Sequence, residues 1–366
     1  MTEHARNSID TDSAQRPVTG VPKARAMLFD ADGKDSELDA AQIDSSRLSE
    51  HQLLWVDLCG DDDAALADVL ARLGLGDHVA AVRAGLRGRP RVENFGEWFL
   101  LRASAIFDGG DSQSDDDKPS DKQRPRRARA AHRRFSAQDF NIVTGHNFVL
   151  SLHAEPLGFI DALREREQAE TQLGVLSAES FTASLLDWQL ATYFDAVSAF
   201  EAEVDQLEVN LLSRRRQRDY LPDLADLRRV VSRLRRTLAP HRNLFAALER
   251  PDFRPSKDNA AADTHFHQVG KRFDHAMEAV ENARDLVVGS FELFATRAAQ
   301  RTNDNMRRLT FATVLIGTLA VLAGILGMNF SVAFFDSGAK GFWSAIAGMV
   351  TLAVAALAVA HARDWI

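Results

Sequence analysis

A chain of 366 residues has room for two or three structural units, and its 44 Lys and Arg against 52 Asp and Glu leave a net charge of -8, which argues against a nucleic-acid-binding surface. A single cysteine, Cys59, excludes an intrachain disulfide and a cysteine-based metal site, and it suits a reducing cytoplasm. The mean hydropathy of -0.22 averages a polar body with a very apolar C-terminal tail.

Residues 1–24 carry charges, Ser and Pro around no apolar segment, so they read as a disordered N-terminus rather than a signal peptide. Residues 25–175 mix short β-type runs with helices and read as an α+β cytosolic domain. Strands are expected at residues 26–29, 53–58, 98–107 and 142–153, the last broken by a turn at Gly145-His146-Asn147. Asp61, Asp62 and Asp63 open a helix running to Leu73, where carboxylates meet the positive end of the helix dipole. A short helix is expected over 77–84. Residues 108–134 pass from an acidic Gly/Ser/Asp stretch into Arg124-Pro125-Arg126-Arg127-Ala128-Arg129 and read as a disordered insertion.

Helices are expected from Pro156 to Glu167 and through most of residues 176–308, a stalk. A first long helix is followed by a return helix over 224–248 that Asp223 caps. From about Thr264 a single helix runs to Met328. Its seven-residue spacing of Phe273, Val280, Val287 and Phe294, with Val269, Ala276, Ala283 and Phe291, makes an apolar seam for the preceding helices.

Residues 309–328 and 342–362 are each apolar over a length that crosses the hydrocarbon core, so residues 309–366 form a membrane hairpin. Arg297, Arg301, Arg307 and Arg308 precede the first span whereas the hairpin loop offers Lys340, which puts the body and both termini on the cytoplasmic side. On the long helix, Glu292, Ala299, Asn303, Met306, Thr310, Thr313, Gly317, Ala320 and Gly324 fall on one line at mostly three- and four-residue steps. Such a small or polar line either borders water, which requires several copies around it, or marks close helix packing. No phosphate-cradling Gly loop, metal-ligand spacing or nucleophile setting is present, so the chain reads as a non-enzyme that needs no cofactor.

The end of the first span, Gly327-Met328-Asn329 with Phe330, resembles the CorA family of divalent-cation transporters, as do Arg89-Pro90-Arg91-Val92-Glu93, Trp55-Val56-Asp57-Leu58 and the pair Asn303 and Met306. The resemblance implies a homopentameric funnel in the plasma membrane, the inner membrane of the cell, with the first span lining the pore. By matching positions, Gly327, Met328 and Asn329 form the outer selectivity turn, and Asn303, Met306 and Leu309 the inner constriction. It implies Mg²⁺ (with Co²⁺ or Ni²⁺) as the transported ion and as a regulatory ion, for which Asp57, Asp61, Asp62 and Asp63 are candidates. The loop after the motif departs from the family's acidic one, having Asp336 as its one acid before Lys340. The zinc-transporting ZntB branch is the alternative, with His265 and His267 as its argument, although alternate helix residues point about 200° apart. A membrane-anchored scaffold without transport is the other.

Overall fold

The computed structural model describes residues 24–39, 42–108, 135–167, 177–212, 220–250, 260–328 and 338–363. The expected N-terminal segment and the insertion 108–134 lie outside these, apart from Ala24 and Asp108. Two compact units are present, parting between Val287 and Val288. The expected stalk of residues 176–308 is therefore divided, and its larger part packs with the sheet.

The first unit is built on a seven-stranded sheet in the order β2-β1-β3-β7-β6-β5-β4. The strands are β1 (Ala24–Asp30), β2 (Ser36–Leu38), β3 (Gln52–Cys59), β4 (Arg91–Asn94), β5 (Phe99–Asp108), β6 (Phe135–Thr144) and β7 (Phe148–His153). Neighbours pair antiparallel except β3 with β7, which run parallel with Leu54 opposite Phe148. The turn at Gly145-His146-Asn147 is as expected, with the Gly145 N–H bonded to the Phe148 carbonyl at 3.0 Å.

Side chains alternate across each strand, and each sheet face has its own cover. Leu54, Val56 and Leu58 of β3, with Leu150 and Leu152 of β7, pack against Leu66, Val69 and Leu70 of α1 (Asp63–Arg72) and Val82 of α2 (Val79–Gly85). On the other face Trp55 and Phe29 meet Phe181 of the long helix α4 (Ala178–Leu212), with ring centroids 5.3 and 5.8 Å away. A shorter helix α3 (Gly158–Glu167) precedes it, starting after Pro156 rather than at it.

Beyond Arg102 the outer side of β5 has no strand partner among the described residues, because β4 pairs with Phe99 to Arg102 alone. Helical side chains take up those backbone groups. Gln189 Nε2 and the Tyr193 hydroxyl donate to the Ser104 carbonyl at 2.5 and 2.9 Å, and the Ile106 N–H donates to Thr192 Oγ1 at 3.0 Å. An exposed sheet edge is thereby closed.

The expected return helix over 224–248 is two helices, α5 (Leu221–Leu238) and α6 (His241–Leu248), because Pro240 between them has no N–H to continue the ladder. Pro222 sits in the first turn of α5, so Asp223 lies inside the helix rather than at its cap. Helix α7 (Ala260–Leu326) is continuous over 67 residues, about 100 Å. In the first unit its seam of Val269, Phe273, Ala276, Val280, Ala283 and Val287 is fully buried, as the spacing predicts. Phe273 stacks on Phe245 of α6 at 4.9 Å, while Arg272 pairs with Asp187 of α4 at 2.9 Å and Arg235 of α5 with Glu281 at 2.6 Å. Phe291 and Phe294 belong to the second unit and are half-buried.

The second unit holds the rest of α7 and helix α8 (Ala339–Ala362). Both helices contain stretches long and apolar enough to cross a membrane, with mean hydropathy 2.3 and 2.1.

Candidate functional site

Helix α7 has two opposed stripes in its apolar part. Phe311, Leu315, Leu319, Leu322 and Leu326 are half-covered within the unit. Glu292, Asn303, Met306, Leu309, Thr310, Thr313, Gly317, Ala320 and Gly324 are all exposed. At about 100° per residue the exposed line centres opposite the half-covered one. Large apolar residues flank it, with Ile316 on one side and Val314, Val321 and Ile325 on the other, all more than half exposed. A Cβ added at Gly317 or Gly324 would meet nothing within 4 Å. Packing against the described residues of the same chain therefore does not require these positions to be small. Thr313 Oγ1 donates to the Leu309 carbonyl at 2.9 Å, so this hydroxyl is bonded back to its own helix.

By the same count Arg297, Arg301 and Arg308 fall on the half-covered side, away from Asn303 and Met306. Gly327 and Met328 follow the end of α7 and are exposed, and Asn329 lies outside the described residues. On α8 the covered stripe is Gly341, Ala345, Met349, Ala353, Ala356 and Ala360.

The four candidate regulatory aspartates separate into two places. Asp62 is the N-cap of α1, its carboxylate accepting from the Ala64 and Ala65 N–H groups at 3.0 and 3.3 Å. Asp63 pairs with Arg83 Nε at 3.1 Å. Asp57, on β3, lies under the opposite sheet face. It accepts at Oδ1 from Ser151 Oγ at 2.5 Å, and His153 Nε2 stands 3.0 Å from the same oxygen. Trp55 Nε1 donates to Ser151 Oγ at 3.1 Å. The other ring nitrogen of His153, Nδ1, faces the Glu155 carbonyl at 2.7 Å. Both nitrogens thus face acceptors, the arrangement of an imidazolium. Burial pulls the His153 pKa down, but the Asp57 hydrogen bond and charge outweigh it and leave it raised.

Asp61, Asp62 and Asp63 border a cavity of about 960 Å³ that sequence spacing does not reveal, because Arg83, Gln138, Asp139, His153 and Glu155 reach it from separate segments. Among the described residues no three His, Cys, Asp or Glu side chains are gathered so as to hold a metal ion. His265 is half-buried, whereas His267 is exposed with Nδ1 3.5 Å from Glu249. They do not converge, as their spacing implies. The segment Arg89-Pro90-Arg91-Val92-Glu93 serves the sheet edge. Arg91 pairs with Glu93, and the Arg89 carbonyl accepts from Nη1 of the buried Arg102 at 3.4 Å. Burial, then the like charge of Arg91, lower the Arg102 pKa.

Comparison with known proteins matches residues 50–361 to the family described as CorA-like Mg2+ transporter protein. The cobalt/magnesium transport protein CorA of Thermotoga maritima is 27% identical over 202 residues, 54% of this chain and 55% of that one, so the alignment spans about half of that relative. The divalent cation transporter CmaX of Pseudomonas aeruginosa is 25% identical over 206 residues, 56% of this chain and 61% of its own. The CorA magnesium transporter structure from Methanocaldococcus jannaschii superposes with a TM-score of 0.65 at 18% identity, over 93% of this chain and 98% of that one.

Proposed function

The chain belongs to the CorA-like Mg2+ transporter family, and we propose that it is a divalent-cation channel whose conducting path is lined by the exposed stripe of α7. The carrying observation is that Gly317 and Gly324 are small where nothing among the described residues of their own chain needs them to be. Copies of the chain arranged about an axis bring these stripes together, while the flanking Val and Ile side chains pack against neighbouring helices or lipid. The ring is a homopentamer, spans the inner (plasma) membrane and keeps both termini cytoplasmic, in keeping with Arg297, Arg301, Arg307 and Arg308 before the first span.

Mg²⁺ is the transported ion in this reading. A ring of Asn329 amide oxygens at the outer mouth would hold a hydrated ion without trapping it, since Mg²⁺ sheds water reluctantly. No ionisable side chain occurs from Leu309 to Asn329, so no proton relay is available and flow is passive. Entry into a negative interior is favoured by about 4.6 kcal/mol per 100 mV for a divalent ion. Carboxylates of the soluble unit, Asp61 and Asp63 among them, would close the channel when intracellular Mg²⁺ brings subunits together and reopen it by mutual repulsion.

The test is Mg²⁺ entry into liposomes under an inside-negative potential, comparing the unaltered chain with Asn329→Ala. Reduced entry is expected, and undiminished entry overturns the pore assignment. Competition between Mg²⁺ and Zn²⁺ in the same assay separates this reading from a zinc transporter.

A further inference from the structure

The strands β3 and β7 finish at the same end of the sheet, and the cavity of about 960 Å³ opens there between the start of α1, the end of α2 and the first residues of β6. Asp61, Asp62, Asp63, Asp139 and Glu155 bring five carboxylates to its wall, against Arg83 and Arg87. Asp63 already holds Arg83, and the charge of His153 is met by Asp57 behind it. Among the described residues the surplus is negative. Acidity alone shows only that cations gather, and Gln138 adds a more specific demand. This side chain lines the cavity with 9% of its surface exposed. Its Nε2 donates to the Glu155 carbonyl at 2.6 Å, which fixes the amide, while its Oε1 has no donor among the described residues. A buried amide oxygen is completed when an N–H or O–H group arrives.

These features select a ligand class. No three acidic or histidine side chains among the described residues meet at a point suited to one metal ion. The carboxylates are instead spread around a space that accommodates a molecule. A linear aliphatic polyamine matches that distribution, because its ammonium groups are spaced along a flexible chain and carry several N–H donors each. We propose that this cleft binds such a polyamine, with one ammonium donating to Gln138 Oε1 beside Asp139 and Glu155 and another facing Asp61. The inference concerns the soluble unit and does not depend on the path along α7.

The experiment is calorimetric titration of the full-length protein in detergent with spermidine at constant MgCl2. Saturable binding is expected that persists in NaCl matched for ionic strength. Asp61→Asn combined with Glu155→Gln, both exposed side chains, raises Kd about tenfold. Gln138→Met also raises it, and an unchanged melting temperature certifies that each variant is folded. Absence of saturable heat with the folded unaltered protein, an unchanged Kd in the double variant, or loss of binding to NaCl overturns the site. The readout is binding, so its failure is distinct from a failure of ion flux.

Discussion

The backbone N–H of Ser104 donates to Nε2 of His241 at 2.9 Å, while His241 Nδ1 stands 3.1 Å from the Leu238 carbonyl. The ring must therefore be neutral, with its proton on Nδ1. Burial pushes its pKa down to about 4. An unfolded histidine titrates near 6.5, so the unfolded chain binds the proton first and stability falls as pH drops from about 6.5 toward 4. The loss from this group is on the order of 3 kcal/mol. Urea unfolding across that range should show it, and His241→Phe should flatten that part of the profile at a cost of about 1–3 kcal/mol from the unpaired Ser104 N–H.

The buried pair of Asp57 and His153 has the opposite sign. The raised His153 pKa means its contribution is fully present below about 6.5 and is lost as pH rises through the folded value. Asp57→Ala leaves the imidazolium without a counter-charge and is expected to destabilise by about 3–5 kcal/mol. Paired urea curves for Asp57→Ala and for Asp57→Ala with His153→Leu measure this, since removing both charges should recover much of the loss.

On α7, Gly317→Phe should abolish ion entry into liposomes, whereas Leu319→Phe, on the half-covered stripe, should retain substantial entry. Equal loss in both, with intact assembly by size-exclusion chromatography, would argue that the exposed line is not the conducting one.

Phe273→Ala removes a fully buried ring stacked on Phe245 and should cost about 3–5 kcal/mol in the stability of the first unit. A urea-melted soluble fluorescence signal can follow it without reference to transport.

Strongly apolar elements were legible in the sequence. The run from Leu53 to Leu58 gave β3, and the spacing from Val269 to Val287 gave the buried side of α7. β2 and β4 escaped because three or four mostly polar residues have too little periodicity to stand out from loop. The break at Pro240 was written in the chain but hidden by apolar spacing that continues through Leu238, Leu244 and Leu248. The exposed line of α7 could be read because one helix carries it. The role proposed for Asn329 rests on the family resemblance. The cleft could not be read, since Asp61, Arg83, Gln138 and Glu155 become neighbours when separate strands and helices meet, and the acceptor role of His241 depends on an unpaired strand edge.

Ser151 and Asp57 are 94 residues apart in the chain, and the parallel pairing that joins their strands must wait for all the sequence between them. Such distant closure raises contact order and slows folding, leaving β3 with an open edge in the meantime. Yet every strand among the described residues is complete by His153, long before the apolar part of α7 is made. During synthesis the sheet can therefore close ahead of membrane insertion, and a soluble scaffold is available before the spans need to assemble.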